Sequence, residues 1–141
     1  MWTRIGVRTG VEAQTWATFV GRAGRAEYSA HLIGWGSNPD ASHPMRNIIG
    51  TVSRERGWGA SNRGRYSNAE LDAKLEVSLA ELDEAKREAM LIDIQRMAAE
   101  DVAVIPLHIQ TNIWAMRRTL THLPRVDELT RAQDVRPATM R

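Results

Sequence analysis

Two helix-start signals in close succession, Ser67-Asn68-Ala69-Glu70 and Asp83, constrain this chain more than any other feature. Ser-Asn-Ala-Glu has the form of a capping box, in which a side-chain oxygen accepts from an early N–H and the glutamate reaches back. Leu71, Leu75, Leu79 and Leu82 then step along one face at i, i+4, i+8 and i+11. Asp83 opens a second helix to about Asp101, with Met90, Ile94, Met97 and Ala98 on its inner face. Two amphipathic helices with so short a joint pack antiparallel, so the spacing predicts a helical hairpin laid on a sheet.

The strands for that sheet are expected on either side. Met1 to Ile5 reads as the last turn of a helix, stopped by Gly6. Val7 to Gln14 follows as a strand, and Thr15 caps a helix from Trp16 to about Arg25. Trp16, Phe19, Val20 and Ala23 give that helix an apolar face. Tyr28 to Gly34 is a short apolar run ended by glycine, the pattern of a buried strand, and His31 within it reads as a core histidine. Strand, helix, strand implies a βαβ unit with parallel strands. Val102 to Ile109 is a further strand, placed at an edge or bulge by Pro106, with Ile113 to Met116 pairing locally. Beyond Arg117 the pattern fades into an extended tail.

From Trp35 to Tyr66 the character changes: five glycines and two prolines surround one apolar island, Met45 to Ile49. So long a connection inside a compact domain carries function or disorder, and two tryptophans, Trp35 and Trp58, favour function. Within it, Gly34-Trp35-Gly36-Ser37-Asn38-Pro39-Asp40 leaves the end of an apolar run where α/β folds bind ligands. An indole there is a flat apolar wall, and Ser37, Asn38 and the Gly36 backbone supply directional hydrogen bonds. The alternative is that Trp35 merely caps the core. Arg46 is a candidate partner for a ligand carboxylate, or a solvated surface arginine.

Other chemistries find little support. Cysteine is absent, which removes disulfides, thiol catalysis and Cys-based metal sites. The four histidines, His31, His43, His108 and His122, have no metal-ligand spacing, and no nucleophile elbow or phosphate loop occurs. No catalytic residue, metal or cofactor is expected. Nineteen basic against 17 acidic residues leave a net charge of +2, without the basic run that nucleic-acid binding needs. No apolar run approaches the roughly 18 residues of a membrane span, and the N-terminus lacks the apolar stretch of a signal peptide.

The order of motifs resembles a known family. Ile5-Gly6-Val7, Trp16-Ala17-Thr18-Phe19 and Leu32-Ile33-Gly34-Trp35 are similar to the second-lobe βαβ of ABC-transporter extracytoplasmic solute-binding proteins of the peptide/oligopeptide/nickel-binding family. Tyr66-Ser67-Asn68-Ala69-Glu70-Leu71-Asp72, Ile105-Pro106-Leu107-His108-Ile109-Gln110, Asn112-Ile113-Trp114-Ala115 and the tail from Pro124 to Val135 continue the match. The resemblance implies an α/β lobe of the type II periplasmic-binding-protein kind, a small mixed β-sheet with packed helices and an extended C-terminal tail. Residues 1–141 would be one partial domain, with 118–141 returning to an N-terminal first lobe of the same protein. Its implied partners are a peptide or other small solute and the permease subunits of an importer, in the periplasm for the full-length parent. The implied mechanism is closure over the ligand, not catalysis; a ligand-sensing regulatory domain reusing the fold is the alternative. Trp35 would line the ligand cavity. In peptide-binding members an aspartate three residues after this tryptophan anchors the α-ammonium group. Asn38 stands there in this chain, keeping an acceptor without the charge, and Asp40 takes the role if the turn is shifted.

Overall fold

A computed structural model describes residues 2–36, 40–125 and 127–138. Its elements in order are a 3-10 turn (Trp2–Ile5), α1 (Trp16–Gly24), α2 (Ser42–Ile48), α3 (Ala69–Ala80), α4 (Glu84–Glu100), β1 (Leu120–His122), a 3-10 turn (Ala132–Asp134) and β2 (Val135–Pro137). The architecture is mixed α/β, with the two strands forming one small antiparallel sheet.

The helical hairpin forms as its punctuation predicts, with the first cap moved by one residue. Asn68, not Ser67, is the N-cap of α3: its Oδ1 accepts from the N–H groups of Glu70 (3.0 Å) and Leu71 (3.1 Å). The Ser67 hydroxyl instead pairs with that of Thr51 at 2.9 Å. Asp83 caps α4, accepting from the Lys86 N–H at 3.0 Å. Leu71 and Leu75 of α3 pack against Leu91, Ile94 and Ala98 of α4, all buried.

The inward face of α3 passes through Ser78 and not Leu79. At 3.6 residues per turn, i+7 falls about 20° from Leu71 and i+8 about 80°. Ser78 is accommodated because its hydroxyl donates to the Leu75 carbonyl at 2.7 Å. Leu82 lies beyond the helix end and is 97% exposed.

What packs on the hairpin is the glycine-rich segment, not a sheet. Met45 and Ile48 of α2, with Ile49, Trp58 and Tyr66, close the core. Ser53 and Trp58 form an antiparallel bridge, turned through Gly57 (φ 66°) and Gly59 (φ 70°). A Cβ on Gly59 would stand 2.6 Å from Val52 Cα, so side chains are excluded there on both grounds. Buried Asn62 holds the return: its amide donates to the carbonyls of Gly50 (3.0 Å) and Tyr66 (2.7 Å), and its Oδ1 accepts from the Tyr66 N–H at 3.0 Å. Trp58 is therefore a core residue.

The expected strands at Val7 to Gln14, Tyr28 to Gly34, Val102 to Ile109 and Ile113 to Met116 are not formed, so neither the βαβ unit nor the small mixed sheet is present among the described residues. Most of their large apolar side chains face solvent, Val11 at 91% and Ile109 at 98% exposure, while Ile33 is half-buried and Ala103 packs on the hairpin core. A strand satisfies its N–H and C=O groups only through a neighbour, and these runs form no ladder among the described residues. His31 is correspondingly exposed, not in a core. Of the α1 face only Ala23 is buried.

The chain beyond Arg117 is no plain extended tail. Leu120, Thr121 and His122 pair with Pro137, Arg136 and Val135. Trp114 lies against His122, ring centroids 5.5 Å apart, and donates through its indole N–H to Thr130 at 3.0 Å.

Candidate functional site

Just N-terminal to the hairpin body, α1 and the glycine-flanked tryptophan face a turn of the central segment. Between them lies a cleft of about 260 Å³ lined by Trp16, Ile33, Gly34, Trp35, Gly36, Ser61 and Arg63. Trp16 is 64% and Trp35 38% exposed, so two indole faces border open space instead of filling a core.

Local packing sets both rings. Trp16 begins α1 and leans on Phe19, centroids 5.7 Å apart; Phe19 stacks on Tyr28 at 5.8 Å and an interplanar angle of 20°. Tyr28 is held by its hydroxyl donating to Gln14 (2.6 Å) and by the Arg22 guanidinium 4.7 Å above its ring. Trp35 is backed by His43 of α2, centroids 6.5 Å apart. Gly34 and Gly36 have open space where a side chain would stand, so the backbone beside the indole is accessible. On the far wall the Ser61 N–H bonds to the Asn47 carbonyl at 2.9 Å, which fixes that turn to α2. The Arg65 guanidinium donates to the Gly24 carbonyl at 3.1 Å and ties α1 to the central segment.

Among the described residues the cleft is lined by one charged side chain, Arg63, and no carboxylate. Beside it, His31 titrates below its usual value, first through desolvation and then through the positive charge of Arg63.

Of the residues singled out in the sequence, Trp35 and Gly36 line the cleft. Ser37 and Asn38 lie outside the described residues. Asp40 does not line the cleft: its Oδ1 accepts from the Ser42 N–H (2.9 Å) and from Arg87 (2.7 Å). The Ser42 amide, then its hydroxyl, then Arg87 hold the Asp40 carboxyl below the usual carboxylate range. This aspartate opens α2 and joins it to α4. Arg46 also lies away from the lining, on α2, with Nε buried and without an acceptor among the described residues.

Trp16, Ile33, Ser61 and Arg63 were not singled out as site residues. Trp16 has the spacing of a core-facing position, and only its exposure shows otherwise. Arg63 has no signal in the sequence, because the Asn62 staple that positions its turn depends on contacts with Gly50 and Tyr66.

A second groove of about 370 Å³ lies on the outer face of the hairpin, between Glu70, Ala73, Lys74, Val77, Met90 and Asp93. Its cation is already matched, Lys74 to Glu70 at 3.3 Å. No group of three or more His, Asp or Glu side chains converges to hold a metal ion among the described residues. No helix among them is long and apolar enough to cross a membrane.

Known proteins give the site its context. The chain is 27% identical over 120 residues to di/tripeptide-binding protein 1 of Pseudomonas aeruginosa, covering 84% of this chain and 22% of that protein. It is 28% identical over 107 residues to heme-binding protein A of Haemophilus influenzae, covering 75% and 19%. Di/tripeptide-binding protein 2 of P. aeruginosa matches at 28% over 104 residues, covering 73% and 19%. The chain thus spans about a fifth of the length of these curated relatives. No protein-family model matches the chain. No solved structure matches it.

Proposed function

We propose that this chain, similar to two di/tripeptide-binding proteins and a heme-binding protein, is a ligand-binding part of the receptor component of an ABC importer for peptides or similar small solutes. The observation that carries the reading is the open cleft between the exposed indoles of Trp16 and Trp35, beside an accessible glycine backbone. Such a site holds a solute by apolar contact and backbone hydrogen bonds, and it needs no proton transfer or covalent step. The relatives' names widen the solute class, since two bind di- and tripeptides and one binds heme. In the parent protein the mechanism is capture followed by closure of a second lobe, outside the membrane, and delivery to the permease. Residues 118–141 are proposed as the segment returning to that lobe.

Trp35→Ala is the test. Calorimetric titration of the 141-residue chain with a panel of di- and tripeptides and with haem should show binding weakened by about 1–3 kcal/mol in the variant, the size of a lost aromatic contact and its buried area. A variant that binds every member of the panel as wild type does would make Trp35 a structural residue and end the assignment of this cleft.

A further inference from the structure

The charge pattern of the cleft points to a narrower solute class than peptides in general. Solutes that present an ammonium group need a carboxylate or a ring of acceptors at the binding surface. Among the described residues the lining offers no Asp or Glu, and the nearby acid of the same segment, Asp40, is held by Arg87 and the Ser42 amide. Among the described residues the one charged side chain that lines the space is Arg63, and, like several other arginines of the chain, it makes no ion pair among them. The His31 pKa is lowered first by desolvation and then by the charge of Arg63, and the second cause agrees with a guanidinium standing beside the aromatic cluster.

We propose that the cleft between Trp16, Trp35 and Arg63 takes a solute with a flat apolar body and a carboxylate, the body against the indoles and the carboxylate on the Arg63 guanidinium. This rests on the reading of the cleft as a ligand site and deepens it. A planar guanidinium forms two parallel N–H···O bonds with a carboxylate, and a cation without a protein partner has that capacity free. Ile33 and the two indoles supply apolar surface on which a planar group stacks with little loss of rotamer freedom. Sequence pattern had made Arg46 the candidate carboxylate partner; in the structure the cation at the cleft is Arg63.

Three probes of one shape separate the possibilities: 2-naphthoate, 2-naphthamide and 2-(aminomethyl)naphthalene, titrated calorimetrically into the intact chain. The expected order is naphthoate tighter than naphthamide by about tenfold or more, with the amine weakest, and a preference that shrinks as salt is raised. Arg63→Gln should abolish the preference of naphthoate over naphthamide. Arg63→Lys, which keeps the charge and loses the fork, should retain part of it. Trp35→Ala should weaken all three probes together. Equal affinity for naphthoate and naphthamide in wild type, a preference that survives Arg63→Gln, or no binding of naphthoate would overturn the proposal. Failure of the cleft itself is a separate result, namely Trp35→Ala leaving the peptide and haem titrations unchanged.

Discussion

Residues 40–103 and the arms on either side of them are both rich in apolar side chains, yet only the central segment buries its own. Leu71, Leu75, Leu91, Ile94 and Ala98 meet across the hairpin, and Ile49 and Trp58 close over them. In the arms Ala23 is the one buried apolar residue among the described residues, while Ile105, Leu107, Ile109 and Ile113 are all exposed. The difference lies in where each pattern looks for its partner. A helical stripe satisfies its backbone internally and needs one neighbour, which a three-residue joint places alongside. A strand-like run needs a ladder partner from another segment, and the runs at 7–14, 28–34, 102–109 and 113–116 form no ladder among the described residues. Where two such runs do come together, at β1 and β2, they pair and anchor Trp114, His122 and Thr130 around them.

The hardest way to break this comparison is to remove one apolar side chain from each part. Ile94→Ala, at a fully buried position, should cost about 2–5 kcal/mol in chemical denaturation. Ile109→Ala, in an arm, should stay within about 0.5 kcal/mol. Losses of the same size would show that the 102–113 run is packed in solution and that the division between body and arms is wrong.

The same division explains what was legible in the sequence. The hairpin was, because its caps, its three-residue joint and the spacing of Leu71, Leu75, Ile94 and Ala98 are local signals. The central wall was not: α2 showed only as an apolar island, and Asn62 holds its turn through three bonds that no local pattern encodes. Strand patterns in the arms were visible but carried no information about their partners. At the site, Trp35 and Gly36 stood out through a bulky aromatic between glycines, whereas Arg63 reaches the cleft by the path of a folded loop. Asp40 stood out for its charge, and the structure uses that charge on Ser42 and Arg87.

A smaller effect sharpens the contrast between helices of the two parts. Asn68 accepts two backbone N–H groups, so Asn68→Ala should destabilise by about 1 kcal/mol. Thr15 stands at the same position of α1 but makes no side-chain cap bond, its hydroxyl facing that of Thr18 at 3.0 Å. Thr15→Ala should therefore change thermal or chemical stability by no more than a few tenths of a kcal/mol. A larger loss at Thr15 than at Asn68 would mean that α1, and not the hairpin, limits stability.

The subtlest effect is a dependence on pH carried by one contact of the body. The Tyr66 hydroxyl donates to Asp101 Oδ2 at 2.5 Å, and the Asn68 amide donates to the same oxygen at 2.8 Å, tying the start of α3 to the end of α4. Burial, and then the bond to Asp101, push the Tyr66 pKa from 10.0 up to about 12. A raised folded pKa means that the neutral phenol is favoured in the fold. Its stabilisation is complete below pH 10 and is lost as pH rises through about 12. Asp101 shifts the opposite way, lowered first by the Tyr66 bond and then by Asn68. Its contribution is present above the ordinary carboxylate value and lost as pH falls through the lowered one. Denaturation midpoints measured from acid to alkali should therefore decline at both ends, and Tyr66→Phe should flatten the alkaline decline while reducing the acid one. An alkaline decline identical in wild type and Tyr66→Phe would assign it to other groups, and the bond would then be no clamp on the hairpin.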